Sequence, residues 1–202
     1  MFTGIIEEMG IVQSIVQSQK GARISISAKK TLKGLKRGDS IAVNGVCLTA
    51  TTVSPTGFSA DIADQTIAVT DLKNLQRKER VNLERAIRLG HRMDGHWVSG
   101  HVDGVGVIRN RKEIENALAL TLSVPQSILK YCIPKGSITI DGISLTIQSC
   151  LPKGITVMII PHTAKMTTLG IKMKNASVNL EADLIGKYIE RFILKPGRAL
   201  SR

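Results

Sequence analysis

Aromatic residues are scarce: phenylalanine, tyrosine and tryptophan together make up 3% of the 202 residues. Proteins that hold single-stranded nucleic acid stack bases on such rings. The net charge of +12 therefore does not read as a nucleic-acid interface, and its cations are spread in ones and twos, as in Lys29-Lys30 and Arg77-Lys78. Cysteine is also rare. Cys47, Cys132 and Cys150 form no CxxC pair and are too few for a disulfide framework, which fits reduced thiols and the cytoplasm. No apolar run approaches the ~18 residues of a membrane span. The opening MFTGIIEEMG lacks the basic and apolar regions of a secretory signal, so a soluble cytoplasmic protein is expected. Phosphate-binding Walker loops, Rossmann glycine fingerprints and GxSxG elbows are missing too, which disfavours ATP, nicotinamide and serine-hydrolase chemistry.

What is present is an internal repeat. Ser40 to Thr49 (SIAVNGVCLT) aligns with Ser137 to Thr146 (SITIDGISLT), each pair 97 positions apart. The same offset joins Gln65-Thr66 to His162-Thr163, and Val81-Asn82-Leu83-Glu84 to the identical Val178-Asn179-Leu180-Glu181. Near the start the offset is 96: Thr3-Gly4 and Gly10 fall on Ser99-Gly100 and Gly106. A tandem duplication follows, with its seam near Gly95. We expect an N-terminal unit over residues 1–96, a C-terminal unit over 97–182 and a separate tail over 183–202, sizes suited to small domains.

Each half reads as strands. Gly21 to Ala28, Ala117 to Val124 and Ser137 to Ile140 alternate polar and apolar residues with period two, the pattern of half-buried strands. Asn44-Gly45 and Asp141-Gly142, each between apolar runs, supply the positive φ of tight hairpin turns. Short strands with regular turn signals predict an all-β chain with one small closed barrel per half. Ala28 to Leu35 and Pro125 to Tyr131 read as short helices plugging equivalent barrel ends. In the tail, Leu184, Ile185, Tyr188, Ile189, Phe192 and Ile193 recur at helical spacing, Asp183 can cap the start, and Pro196-Gly197 stops it. This amphipathic α-helix either packs across the two halves or joins subunits.

A duplicated barrel can present two similar pockets to two similar ligands. Cys47 and Thr49, and their counterparts Ser144 and Thr146, lie two apart on a strand and so face one way, able to hydrogen-bond a polar heterocycle or a polyol. Thr66 and Thr163 are expected on a later strand. His96 and His101 with Asp103 resemble a metal spacing, but five residues along a strand put the imidazoles on opposite sides, so no metal is expected.

Met1 to Ile6 (MFTGII), Asn44 to Thr49 (NGVCLT), Val81 to Ala86 (VNLERA), Gly95 to His101 (GHWVSGH), Asp141 to Thr146 (DGISLT) and Thr167 to Gly170 (TTLG) together resemble riboflavin synthase of the alpha-chain type, over nearly the whole chain. The resemblance implies two six-stranded Greek-key closed barrels and a C-terminal helix that assembles a homotrimer, with the active site between the first barrel of one subunit and the second barrel of a neighbour. It implies a dismutation without cofactor, in which one 6,7-dimethyl-8-ribityllumazine gives a four-carbon unit to another, yielding riboflavin and 5-amino-6-(ribitylamino)pyrimidinedione. It implies substrate contacts from Gly4, Ile5 and Ile6, from Cys47, Leu48 and Thr49, and from Asp61, Ile62, Ala63, Asp64, Gln65 and Thr66 in the first barrel. In the second it implies Gly100, His101 and Val102, then Ser144, Leu145 and Thr146, then Met158, Ile159, Ile160, Pro161, His162 and Thr163, with Lys135 reaching a neighbour's ligand. Ser40, Cys47, His101, Ser144 and Asp183 resemble the family's functional residues, with Phe2 closing the pocket: His101 and Ser144 would move protons, Cys47 or its water would add at C7, and Asp183 would orient. The chain departs from the family at Gln65, where a glutamate often stands, in the linker from Asp71 to Glu79, and at the large Trp97. The rival reading is an antenna protein on the same barrels that binds lumazine without turnover.

Overall fold

A computed structural model describes residues 1–18 and 21–193. Twelve strands close into two antiparallel barrels. The first contains β1 (Glu8–Ser18), β2 (Gly21–Ser27), β3 (Ser40–Val43), β4 (Val46–Ser54), β5 (Gly57–Ala63) and β6 (Arg80–Arg85), in the order β1-β2-β5-β4-β3-β6. The second contains β7 (Gly104–Ile114), β8 (Ala117–Ser123), β9 (Ser137–Ile140), β10 (Ile143–Leu151), β11 (Gly154–Ile159) and β12 (Ser177–Ala182), in the equivalent order. Three hairpin-joined strands with a fourth beside the first of them is the Greek-key arrangement. Bulges recur at equivalent places, after Val12 and Ile108 and after Ala50 and Ile147.

The period-two strands behave as their sequences require. Ile24 and Ile26 of β2, and Leu118, Leu120 and Leu122 of β8, point into the two cores. On β9 the alternation fails: Thr139 is 1% exposed, because its outer face lies under His96 rather than in water. Asn44 (φ 45°) and Gly45 (φ 78°) form the expected two-residue turn between Val43 and Val46, and Asp141 (φ 47°) and Gly142 (φ 80°) its copy.

The two turns meet back to back on a pseudo-two-fold axis: a Cβ on Gly45 would fall 2.6 Å from the backbone nitrogen of Gly142, and one on Gly142 would fall 2.7 Å from that of Gly45. Reciprocal bonds surround this point. The Asn82 amide donates to the Asp141 carbonyl and Asn179 to that of Asn44, both at 2.9 Å, while Phe2 and Val98 exchange both backbone bonds. The buried Asp141 carboxylate is met by the Lys172 ammonium at 2.7 Å.

The helices differ from expectation at Ala28 to Leu35, Thr66 and Thr163 and agree with it at Pro125 to Tyr131. Pro125 to Tyr131 holds one α-helical turn, α2 (Gln126–Leu129), whose Ile128 plugs the second core. The matching Ala28 to Leu35 is not helical. The Glu8 carboxylate takes the N–H groups of Lys29 and Thr31, successive i→i+3 turns follow, and Gly34 at φ 81° breaks the chain before Leu35 plugs the first core. Thr66 and Thr163 lie on short helices, α1 (Asp64–Val69) and α3 (Pro161–Met166), rather than on strands. Thr70 and Thr167 just beyond donate from Oγ1 to the Thr66 and Thr163 carbonyls at 2.7 Å, closing each turn locally. The tail forms α4 (Leu184–Ile193), and the Asp183 carboxylate accepts the Ile185 N–H at 3.0 Å as the expected cap. Lys187 pairs with Asp103, and Glu190 with Lys130 and Tyr131, so α4 lies on the second barrel and leaves Ile185, Ile189, Phe192 and Ile193 exposed. The proposed stop at Pro196-Gly197 lies outside the described residues.

Candidate active site

Two short segments cross between the barrels. Thr3 donates N–H and Oγ1–H to one oxygen of Glu84 at 2.7 and 2.9 Å, and Gly4 N–H donates to the other at 3.1 Å. Glu181 holds Ser99 and Gly100 in the same way, at 2.7, 2.6 and 3.0 Å. Burial pushes the Glu84 carboxyl up to about 7 against those three donors, and pushes Glu181 upward too. So anchored, the Gly4 carbonyl receives the Ser144 N–H at 2.8 Å, and the Gly100 carbonyl receives that of Cys47 at 2.9 Å. Both glycines have φ near 80°, and a Cβ on either would fall 2.6 Å from the Cβ of Ser144 or Cys47. Only glycine permits that approach.

The crossing reassigns two groups of expected contacts. Gly4, Ile5 and Ile6 were expected on the first barrel; Gly4 covers Ser144, and Ile6 packs on the second core. Gly100, His101 and Val102 were expected on the second; Gly100 covers Cys47, and Val102 packs on the first core. The repeat shows which residues are equivalent but not which half each segment lies against.

On β4, Leu48 points into the core while Cys47 and Thr49 face outward; on β10, Leu145 points inward while Ser144 and Thr146 face outward. Ile62 and Ile159 are likewise core residues, 2% and 1% exposed, so they offer a ligand backbone only. Asp61 accepts from the Arg23 guanidinium at 2.6 and 3.0 Å. Ala63, Asp64 and Gln65 are exposed and Thr66 half-buried around the start of α1; Met158, Ile160, Pro161 and His162 are exposed and Thr163 half-buried around α3. Phe2 is buried with Ala42 and Val98, against Cys47. Ser40 and Ile5 line a cavity of about 470 Å³ together with Arg88 and His91, linker residues outside the repeat that sequence reasoning did not single out. Lys135 is exposed, with φ 67°.

A family model described as "Lumazine binding domain" matches twice, over residues 3–86 and 99–183. The riboflavin synthase of Actinobacillus pleuropneumoniae is 47% identical over 195 residues, 96% of this chain and 91% of that protein. That of Bacillus subtilis is 43% identical over the same shares. The chain belongs to the riboflavin synthase family. Among solved structures it is similar to LumP complexed with 6,7-dimethyl-8-(1'-D-ribityl) lumazine, with a TM-score of 0.82 and 28% identity over 90% of this chain and 99% of that one. LumP complexed with riboflavin matches with a TM-score of 0.84 over the same shares.

Within this riboflavin synthase family member the equivalent faces at Cys47 and Ser144 are unequal, and one difference is His96. Its Nδ1 lies 2.6 Å from Ser144 Oγ and its Nε2 lies 3.2 Å from Thr139 Oγ1. The resemblance gives proton-moving roles to both His101 and Ser144. In the single chain His101 is exposed, follows the segment laid over Cys47, and does not meet Ser144. The repeat explains why His96 has no counterpart in the first half: it precedes Trp97, the counterpart of Met1, while Thr139 and Asp183 correspond to Ala42 and Ala86. Among the described residues no group of three or more histidine, cysteine and acidic side chains could hold a metal. Burial lowers the His96 pKa from 6.5, and the nearby Asp183 charge opposes that only in part. A neutral imidazole can accept the Ser144 proton. Its ring protons, followed by NMR, are expected to titrate below 6.5; a midpoint at or above 6.5 would contradict the burial argument. In sign, the unfolded chain binds more protons between the two values, so this contribution to stability is lost as pH falls from 6.5 toward the lower folded value.

Proposed function

We propose that this riboflavin synthase family member dismutates two molecules of 6,7-dimethyl-8-ribityllumazine. The donor gives up C6, C7 and their two methyl groups, leaving the pyrimidinedione, and the acceptor becomes riboflavin. The observation that carries the reading is the pair of pseudo-symmetric outward faces, Cys47 with Thr49 and Ser144 with Thr146, each covered by a segment of the other half, which suits two copies of one substrate. Proximity and orientation then supply much of the rate. In this reading Cys47, His101, Ser40 and Phe2 act at the first pocket, Ser144 and Asp183 at the second, and Ser144 passes its proton through His96. Backbone at Leu48, Ile62, Leu145 and Ile159, and the side chains around Thr66 and Thr163, hold the ligands.

We also place the enzyme in the cytoplasm as a homotrimer joined by the exposed face of α4. First and second pockets of neighbours would face each other there, bringing His101 and Lys135 to the second ligand. The described residues include no helix long and apolar enough to cross a membrane.

The test is to mix the purified protein with the lumazine, without added cofactor, and follow riboflavin by absorbance and fluorescence. Riboflavin should accumulate. Ser144→Ala should slow it by about a hundredfold, the range expected for removing a group that relays a proton. Stoichiometric lumazine binding without product would instead favour the antenna reading.

A further inference from the structure

A second cavity, of about 500 Å³, opens between the first barrel's Lys29 to Lys33 turn and α3 of the second barrel. Ile5 and Ile6 form its apolar wall, and Lys29, Lys30, Lys33, Arg85 and His162 its polar one. Glu7 and Glu8 are the acidic groups nearby. Glu7 is held by the Arg85 guanidinium, and the Glu8 carboxylate is turned onto the N–H groups of Lys29 and Thr31. Four cations against two carboxylates leave a net charge of about +2. The Lys30 ammonium donates to the Glu7 carbonyl at 3.3 Å. Those of Lys29 and Lys33 make no ion pair among the described residues.

The repeat shows that this charge is not a requirement of the barrel. At the equivalent positions of the other half, Lys29 becomes Gln126, Lys30 becomes Ser127, Arg85 becomes Ala182 and His162 becomes Gln65. Lysine persists only at Lys130, the counterpart of Lys33, and there Glu190 neutralises it. One pocket of the pair is therefore cationic at this end and the other is not.

Ile5 and His162, both in the proposed substrate set of the second pocket, line this cavity, whereas Ser144 and Thr146 do not. A heterocycle held at Ser144 and Thr146 would thus send its ribityl chain toward the lysines. We propose that the second pocket binds a ribityl ligand whose terminal carbon carries a phosphate monoester, the Lys29 to Lys33 turn seating the dianion. The inference rests on the pocket reading given above.

The test is fluorescence titration of the full chain with riboflavin and with riboflavin 5′-phosphate at low ionic strength. The phosphate is expected to bind about tenfold more tightly, an advantage that salt screens away. Lys29→Gln/Lys33→Gln, which neutralises both ammonium groups, should remove the advantage and leave riboflavin affinity unchanged. Equal binding of the two flavins, or an advantage that survives the double substitution, overturns the proposal alone. Binding of neither flavin overturns the pocket reading and the proposal with it. Inorganic phosphate provides the third arm. Line broadening of its phosphorus resonance that the double substitution abolishes, while the two flavins bind equally, assigns the seat to free phosphate and overturns the ribityl phosphate.

Discussion

Gly142→Ala is expected to lower the unfolding free energy by about 2–5 kcal/mol. Two costs combine. A side chain at φ 80° is strained by about 1–2 kcal/mol. The new methyl would also lie 2.7 Å from the Gly45 nitrogen and 2.9 Å from its Cα, backbone atoms that move only if the barrels part. Overpacking of that kind costs about 1–3 kcal/mol more. Gly90→Ala separates the two contributions, because Gly90 has φ 87° and nothing within 4 Å of an added Cβ. Urea unfolding of both variants decides the matter: equal losses would mean that the facing turns do not constrain each other.

An effect on turnover as large as that of Ser144→Ala is expected from Glu84→Ala, a residue that touches no proposed reacting atom. Its carboxylate fixes Thr3 and Gly4, and through the Gly4 carbonyl the backbone of Ser144. Without it the opening segment is released from the first barrel and the second pocket loses a wall. A misplacement of about 1 Å can cost roughly a hundredfold in rate, so kcat should fall by about that factor while β-sheet circular dichroism persists. Glu181→Ala should do the same through Gly100 and Cys47. A Glu84→Ala enzyme with unaltered kcat would show that the crossed segment plays no part in the chemistry.

Much of this architecture was legible in the sequence because duplication leaves a regular mark. The 97-residue offset located both Asn44-Gly45 and Asp141-Gly142 turns, and alternation located β2 and β8, since a half-buried strand must repeat every two residues. Asp183 announced the start of α4 in the same local way. What failed was whatever depends on the third dimension. Equivalence under the repeat cannot say that Gly4 lies over Ser144 rather than Cys47, as both arrangements have the same sequence. Spacing along the chain sets His96 only against His101, whereas its partners, Ser144 and Thr139, come from the β9–β10 pair. The Ala28 to Leu35 turn misled because Glu8, on another element, captures the N–H groups that a helix would have used.

The reciprocal contacts across the turns amount to an isologous interface: Phe2 faces Val98, Gly45 faces Gly142, and each crossed segment has its mirror. The molecule is a symmetric dimer made covalent, whose halves meet at high effective concentration however dilute the protein. In a dimer of identical chains any substitution occurs twice. Joining the halves removes that constraint, so a histidine can be added beside one pocket and lysines beside one rim without altering the other. Under the proposed dismutation, the two sites are then free to take unequal parts in a reaction between two identical molecules.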